Sequence, residues 1–455
     1  MYRSTNPMTG LVEAEFPLLT ADEIAQAAQR SAQAYVQWQA VPRAERADAV
    51  LRIAAIFESR RDEFAKLITA EMGKPISQAR GEIALVASIC RYYGGNAETL
   101  LADEVLDPAS GDSAVVRTSA IGPVLGVMPW NFPFYQVARF AIPNLLLGNT
   151  ILLKHASNCP QSALAFERVV HGAGVPADAY INLLASSKDI DALVASPHVQ
   201  GVSLTGSEKA GASVASQAGK HLKKVVLELG GSDPLLVLDS GILEHSVKAA
   251  VLGRFANAGQ ACISAKRLIV LDEAYEDFST SFAQAVSNIS FGDPTDPATF
   301  MGPLYSASAK DEILEVVDDA LAQGAELLVG TASARTDDAF LEPMVLVGVT
   351  EQMRAFHEEI FGPVAVLLRA RDADHAVELA NSSVYGLGAT VFSSDTAQAN
   401  AVADRLEAGM VVINGMAGSQ ADLPFGGTKR SGFGRELGSA GIAEFSNKKL
   451  IRTPA

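Results

Sequence analysis

The sequence predicts an α/β protein built from more than one domain, and three observations predict it. The chain has 455 residues, and at roughly 100–200 residues per domain that length implies two to four domains. Hydrophobic residues make up 48% and charged residues 19%, which supplies large buried cores and excludes a disordered chain. Helical stretches alternate with short apolar β-type runs from end to end, with no repeat, low-complexity tract or charge block between them.

Taken in order, Thr20-Ala21-Asp22-Glu23 has the form of a capping box and opens a helix running to about Gln39. Helical spacing returns from Ala44 to about Arg60 and from Ile76 to Tyr93, where Gly94-Gly95 ends it. From Ala114 the texture changes: the β-type runs AVVRTSAI, VLGVM, TILLK, GVSLT, KVVLEL and PLLVL alternate with helices such as Gln161–Val170 and Ser207–Gln217. A second succession follows Gly230-Gly231, with helix 243–257, strand 266–271, helices 274–288 and 310–323, strand 363–369 and helix 374–381. A domain boundary is therefore expected near Gly230, and the tail from Ser431, which has no core of its own, is expected to pack on another domain or subunit.

Charge and cysteine usage exclude several classes. The net charge is −16, from 36 Lys+Arg and 52 Asp+Glu, which disfavours nucleic acid and anionic membrane as partners. The start, MYRSTNPMTGLVEAEFPLL, has no apolar core of a signal peptide, and the most apolar stretch, Ala120 to Lys154, is broken by Pro123, Pro129, Pro133, Pro143 and Arg139, so no membrane span is expected. Three scattered cysteines do not make a disulfide framework, so a reducing, cytoplasmic location is expected. The seven histidines include no clustered pair, and no metal site is expected.

Three positions invite chemistry. Cys262, in FANAGQACISAKR, lies in a small-residue loop after a helix, with Lys266 and Arg267 following; positive charge favours the reactive thiolate. A buried structural thiol is the competing reading there, and the preferred one for Cys90 and Cys159. Glu228 ends a β-type run before two glycines, where a carboxylate can act as a general base or simply face solvent. Asn131, between Trp130 and Phe132 and before Pro133, can donate to a developing oxyanion or be a plain turn residue.

Seven segments in order, PWNFP at 129–133, LLK at 152–154, TGS at 205–207, ELGG at 228–231, GQAC at 259–262, EEIFGPV at 358–364 and PFGGTKRSGFGRE at 424–436, resemble the aldehyde dehydrogenase superfamily over nearly the whole chain. The resemblance implies a Rossmann-like cofactor domain (1–101 and 121–229), an α/β catalytic domain (230–428) and a small oligomerisation element (102–120 and 429–455), assembled as a homodimer or a dimer of dimers. It implies that Cys262 forms a thiohemiacetal and then a thioester, that Asn131 and the Cys262 N–H hold the oxyanion, and that Glu228 activates the hydrolytic water. For the cofactor it implies Pro129, Trp130, Lys154, His155, Ala156, Ser157, Gly206, Ser207, Gly211, Leu229, Glu359 and Phe361, with the helix opening at GSEKAG suiting a pyrophosphate.

Two departures sharpen the expectation. NAD-preferring relatives carry a glutamate three residues after the lysine of LLK; here Ser157 stands there, so NADP is expected to be preferred, with NAD as the possible second cofactor. Arg139, eight residues after Asn131, and Ser419 are similar to succinic semialdehyde dehydrogenases and are expected to bind the substrate's carboxylate, with Arg254 as a candidate further cation; a structural role, for Arg139 a salt bridge, is the competing reading for both arginines. ELGG is followed by Ser232-Asp233 where relatives have Lys-Ser or Lys-Asn, and Ser264 replaces a second cysteine found in some relatives. Oxidation of another short aldehyde, such as glutarate semialdehyde or lactaldehyde, and CoA-acylating oxidation are the alternative activities.

Overall fold

The structure is a computed structural model that describes residues 1–331 and 338–454; residues 332–337, within the expected catalytic domain, and 455, the end of the expected tail, lie outside the described residues. Four helices open the chain: α1 Ala21–Trp38, α2 Arg43–Ser59, α3 Arg61–Met72 and α4 Ile76–Gly95. The capping box is formed in both directions, with Thr20 accepting from the Glu23 N–H and Glu23 accepting from the Thr20 N–H. The sequence reading missed α3, a separate helix begun at Arg61 and ended by Gly73 in a left-handed conformation.

The first sheet is doubly wound. Its parallel strands are β1 Pro123–Met128, β2 Thr150–His155, β3 Tyr180–Asn182, β4 Gly201–Thr205 and β5 Lys224–Glu228, in spatial order β5-β4-β1-β2-β3. Alternate residues face opposite sides: Val124, Ile151 and Leu153 join the core under α4 and the helix α5 Tyr135–Leu147, while Leu125, Leu152 and Val202 join another under α1. The chain moves outward from β1 to β3, then returns to the other side of β1 for β4 and β5. That reversal between β1 and β4 is where open parallel sheets bind ligands, at the carboxyl ends of the strands. Every residue of α5 is buried, which accounts for the long apolar stretch as a packed helix beneath the sheet.

The second sheet starts at Asp233, one residue beyond the two glycines. It contains β6 Asp233–Val237, β7 Ala265–Leu271, β8 Glu326–Val329, β9 Met344–Val347, β10 Val364–Ala370, β11 Gly388–Phe392 and β12 Met410–Ile413, in order β8-β9-β10-β7-β6-β11-β12, parallel except for β8. It has its own core, running from Leu235 to Leu406. A third, antiparallel sheet joins Glu104–Leu106, Ser113–Ala120 and Ser446–Thr453; the tail strand pairs from Ser446 opposite Ala120 to Thr453 opposite Ser113. Among the described residues no helix is long and apolar enough to cross a membrane, and no group of three His, Cys, Asp or Glu could hold a metal ion.

Candidate active site

The ends of β1, β4 and β5 deliver Pro129, Trp130 and Asn131, then Gly206 and Ser207, then Glu228 to one cavity of about 270 Å³, which Leu229, Cys262, Glu359 and Phe361 complete. A second cavity, of about 320 Å³, is walled by Phe132, Tyr135, Ile263, Met416, Ser419 and Phe425. Cys262 and Gln136 belong to both walls. The thiol-bearing residue thus stands where a strand-end cavity and an aromatic-lined cavity meet.

A strained turn puts it there. Helix α7, Leu243–Phe255, stops two residues before the position expected from sequence, because Asn257 and Ala258 both adopt φ of +53° and Gly259 follows at +71°. Only glycine fits at 259, since a Cβ there would overlap the carbonyl of Gly362. The Asn257 amide holds the turn by donating to the carbonyls of Asn131 at 3.1 Å and Gln260 at 3.2 Å. Asn131 Nδ2 donates to the same Gln260 carbonyl at 3.1 Å, which fixes its amide and leaves its second N–H for another acceptor.

Burial dominates the electrostatics. It pushes the Cys262 thiol up to about 12, with Arg139 and Lys266 pulling the other way and Asp233 and Glu228 adding to it. Burial also holds the Glu228 carboxyl well above the ordinary carboxylate range, against the Arg139 charge and with Glu436 reinforcing it. Both carboxyl oxygens of Glu228 are buried without a hydrogen bond. A buried, unpartnered carboxyl is costly to keep, and its protonated form is the cheaper one.

The residues expected at the cofactor divide. Lys154 is half-buried at the end of β2, and its ammonium has no hydrogen bond or ion pair among the described residues, standing 5.8 Å from the Tyr2 ring. Ala156 is half-buried and Ser157 exposed just beyond it. Ser207 caps the helix α6 Glu208–Lys220 by accepting from the Ala210 N–H. Phe361 meets Trp130 edge to face at 5.9 Å, and Trp130 stacks on Tyr305 at 3.9 Å. Two expectations are corrected. Strand alternation turns the His155 ring inward, where it bonds the Pro133 carbonyl at 2.9 Å and burial lowers it to about 4. Gly211 has a packing role, since a Cβ there would sit 2.5 Å from the Leu229 side chain.

The arginines expected at the substrate are corrected as well. Arg139 lines neither cavity: its fully buried guanidinium pairs with Glu436 and donates to Tyr135 Oη and Thr205 Oγ1, each at 3.2 Å, with its plane 4.5 Å from the Phe425 ring centre. Arg254, also fully buried, donates to the carbonyls of Val364, Ile360 and Gly362 and to Ser264 Oγ, and sews two loops together. Ser419 does face the second cavity, accepting from Tyr135 Oη at 2.6 Å. Tyr135 was missed in the sequence, although it lies one helical turn before Arg139 in NFPFYQVAR. Gln136, in both walls, and Glu436, the last residue of PFGGTKRSGFGRE, were not singled out either.

Comparison with known proteins agrees with this architecture. Residues 1–451 match the family described as the aldehyde dehydrogenase family. The chain is 52% identical over 451 residues, 99% of its length and 94% of the relative's, to a succinate-semialdehyde dehydrogenase [NADP(+)] of Deinococcus radiodurans. It is 44% identical to succinate-semialdehyde dehydrogenase [NADP(+)] 1 of Mycobacterium ulcerans, covering 98% of both chains. A crystal structure of succinic semialdehyde dehydrogenase from Streptococcus pyogenes in complex with NADP+ as the cofactor superposes with a TM-score of 0.97 at 40% identity, over 100% of both chains. The protein belongs to the aldehyde dehydrogenase family.

Proposed function

We propose that this protein oxidises succinic semialdehyde to succinate with NADP, through an acyl group carried on Cys262. The observation that carries the proposal is the position of Cys262 in the shared wall of two cavities, with the unpartnered Glu228 carboxyl in one and the Tyr135–Ser419 hydroxyl pair beside the other. The relatives named above carry the same activity in their names.

The strand-end cavity supports the nicotinamide end of a phosphorylated dinucleotide site, with Lys154 and Ser157, beyond its lining at the end of β2, read as the adenosine end. Lys154 offers an ammonium with no hydrogen bond or ion pair among the described residues, and position 157 carries a hydroxyl instead of a carboxylate that would repel a 2′-phosphate. The N-terminus of α6 suits the pyrophosphate. Gly230 leaves space for Glu359, since a Cβ there would overlap Oε2, and that carboxylate would hold the nicotinamide ribose. When bound, the nucleotide supplies the hydride acceptor.

The chain's own residues do the rest. Cys262, as thiolate, adds to the aldehyde carbon from the junction of the cavities, giving a thiohemiacetal. The Asn131 amide, held by Gln260, and the Cys262 N–H face the oxygen, a contribution of roughly 3–4 kcal/mol in comparable sites. Once the carbon is oxidised, Glu228 takes a proton from the water that cleaves the thioester and frees succinate. Ser419, which accepts the Tyr135 proton, has its own hydroxyl proton free for the far carboxylate, and Arg139 acts through Tyr135, donating to its oxygen and polarising its hydroxyl.

We further infer a cytoplasmic homodimer or dimer of dimers. The antiparallel sheet of 104–120 and 446–453, whose outer strand leaves Leu450 60% exposed, supports an element joining subunits, and three free cysteines suit a reducing compartment. Steady-state rates for succinic semialdehyde, glutarate semialdehyde, lactaldehyde and a neutral aldehyde, each with NADP and NAD and with and without CoA, test the activity. The highest kcat/KM is expected for succinic semialdehyde with NADP, giving free succinate. Preference for NAD, or a CoA thioester product, would contradict the proposal.

A further inference from the structure

Lys266 lies four residues beyond the nucleophile, and none of the steps above uses it. Its ammonium donates to the carbonyls of Ala261 and Cys262, both at 3.0 Å, and stands 3.1 Å from Glu359 Oε1. Two of its three N–H donors go to those carbonyls, Glu359 is held as an ion pair, and the side chain is only 3% exposed. The same Glu359 oxygen accepts the Gly231 N–H at 3.1 Å, so Oε2 is the one left to meet a ligand. The gap it bridges is narrow: a Cβ at Gly231 would stand 2.8 Å from the Cys262 carbonyl. Arg254 sews Ile360 and Gly362 to Ser264 from the other side. Segment 359–362 therefore sits on the nucleophile loop through two buried cations, and Lys266 is the one that grips a carboxylate lining the cavity.

We propose that Lys266 is a positioning residue: it sets the separation of the Glu359 carboxylate from the Cys262 sulfur and places a fixed positive charge beside the thiol. The inference rests on the reading of Glu359 as the ribose ligand. Each bond has a consequence. Through Ala261 and Cys262 the ammonium fixes the backbone that carries the sulfur. Through Glu359 it holds one carboxylate oxygen so that only the other swings toward the cavity. Arg139 and Lys266 favour the thiolate while Asp233 and Glu228 oppose it, so loss of Lys266 removes one of the two cations that favour it.

Lys266→Met, Glu359→Gln and the double variant of the full chain provide the test, with two readouts besides activity. The first is the rate of Cys262 alkylation by iodoacetamide against pH in nucleotide-free protein, read by mass spectrometry; Cys90 and Cys159 are fully buried and do not compete. The second is the Kd for NADP from tryptophan fluorescence. Lys266→Met should move the alkylation midpoint up by about one pH unit. It should weaken NADP binding about tenfold in the parent and less than about twofold when Glu359 is already Gln, because the shared bond is then gone. An unmoved midpoint, or Kd factors that simply multiply, overturns the proposal. Should the Lys266 variant not fold, Glu359→Gln decides alone: freeing the ammonium should lower the midpoint, and an unmoved midpoint overturns it. Aldehyde oxidation by the parent is scored separately. Failure there contradicts the functional reading, while alkylation, which needs no cofactor, judges Lys266 by itself.

Discussion

Tyr135 donates its hydroxyl to Ser419 at 2.6 Å, a contact between residues 284 positions apart that brings two hydroxyls to the wall of one cavity. Hydrogen bonds to a charged group contribute about 1.5–3 kcal/mol each, and 1.4 kcal/mol is a factor of ten. Ser419→Ala should therefore raise KM for succinic semialdehyde about tenfold, and Tyr135→Phe, which removes the bond orienting Ser419, should raise it by a smaller factor, with little change for butanal in either, in steady-state assays. Equal effects on both aldehydes would remove the pair from carboxylate recognition.

Arg139 should behave as a stability residue first. Its partner Glu436 is 4% exposed, and removing one member of a buried pair costs about 3–5 kcal/mol because the other is left unpaired. Arg139→Met should lower the denaturation midpoint sharply, and adding Glu436→Gln should recover part of the loss. Urea unfolding of the single and double variants measures this; a fully stable Arg139→Met protein would contradict the buried pair.

The Arg139–Glu436 contact also marks what the sequence could and could not tell. The motifs PWNFP, ELGG and GQAC mark strand ends and a loop, so the residues that line the strand-end cavity were legible, as was the capping box at Thr20. Arg139 was legible as a cation near the substrate path but not as a paired one, because Glu436 lies far away in sequence and reaches it only when the tail segment Gly432–Phe433 lies antiparallel beside β5. Arg254 was misplaced for a related reason, its acceptors being three backbone carbonyls and the Ser264 hydroxyl, none of which a charge pattern announces. The early end of α7 was hidden because Asn257 and Ala258 are not glycines, and only the surrounding bonds make a left-handed turn acceptable there.

That turn yields a further expectation. Gly259→Ala would add a strained side chain at φ of +71° and a clash with the Gly362 carbonyl. A loss of roughly 2–4 kcal/mol in stability, with alkylation of Cys262 slowed, is expected from thermal unfolding and iodoacetamide kinetics. A variant that keeps both would contradict the tight turn.

Activity should rise with pH. Glu228 and Cys262 both have their protons held by burial, and both must lose them to act, so kcat/KM should keep climbing with pH into the alkaline range. Stability runs the other way for Glu228. Folded protein keeps a proton that the unfolded chain releases above its ordinary value of 4.5, so the stability Glu228 permits falls as pH rises past that point. Glu228→Gln removes this penalty, and its gain in Tm over the parent should be larger at pH 8 than at about pH 5. A pH-independent difference would contradict the buried, raised carboxyl.

Cofactor choice turns on one exposed position. Ser157→Glu introduces a carboxylate where a 2′-phosphate would approach Lys154, and kcat/KM for NADP should fall at least about tenfold while that for NAD is retained or improved. An unchanged ratio would place the phosphate elsewhere.

The most direct test of the acyl carrier is to slow its removal and look for it. Glu228→Gln protein mixed with succinic semialdehyde and NADP, quenched in acid and digested, should yield the peptide containing Cys262 heavier by one succinyl group, in step with the first turnover of NADPH. NADPH formation with Cys262 unmodified, or with the succinyl group on another residue, would contradict the account.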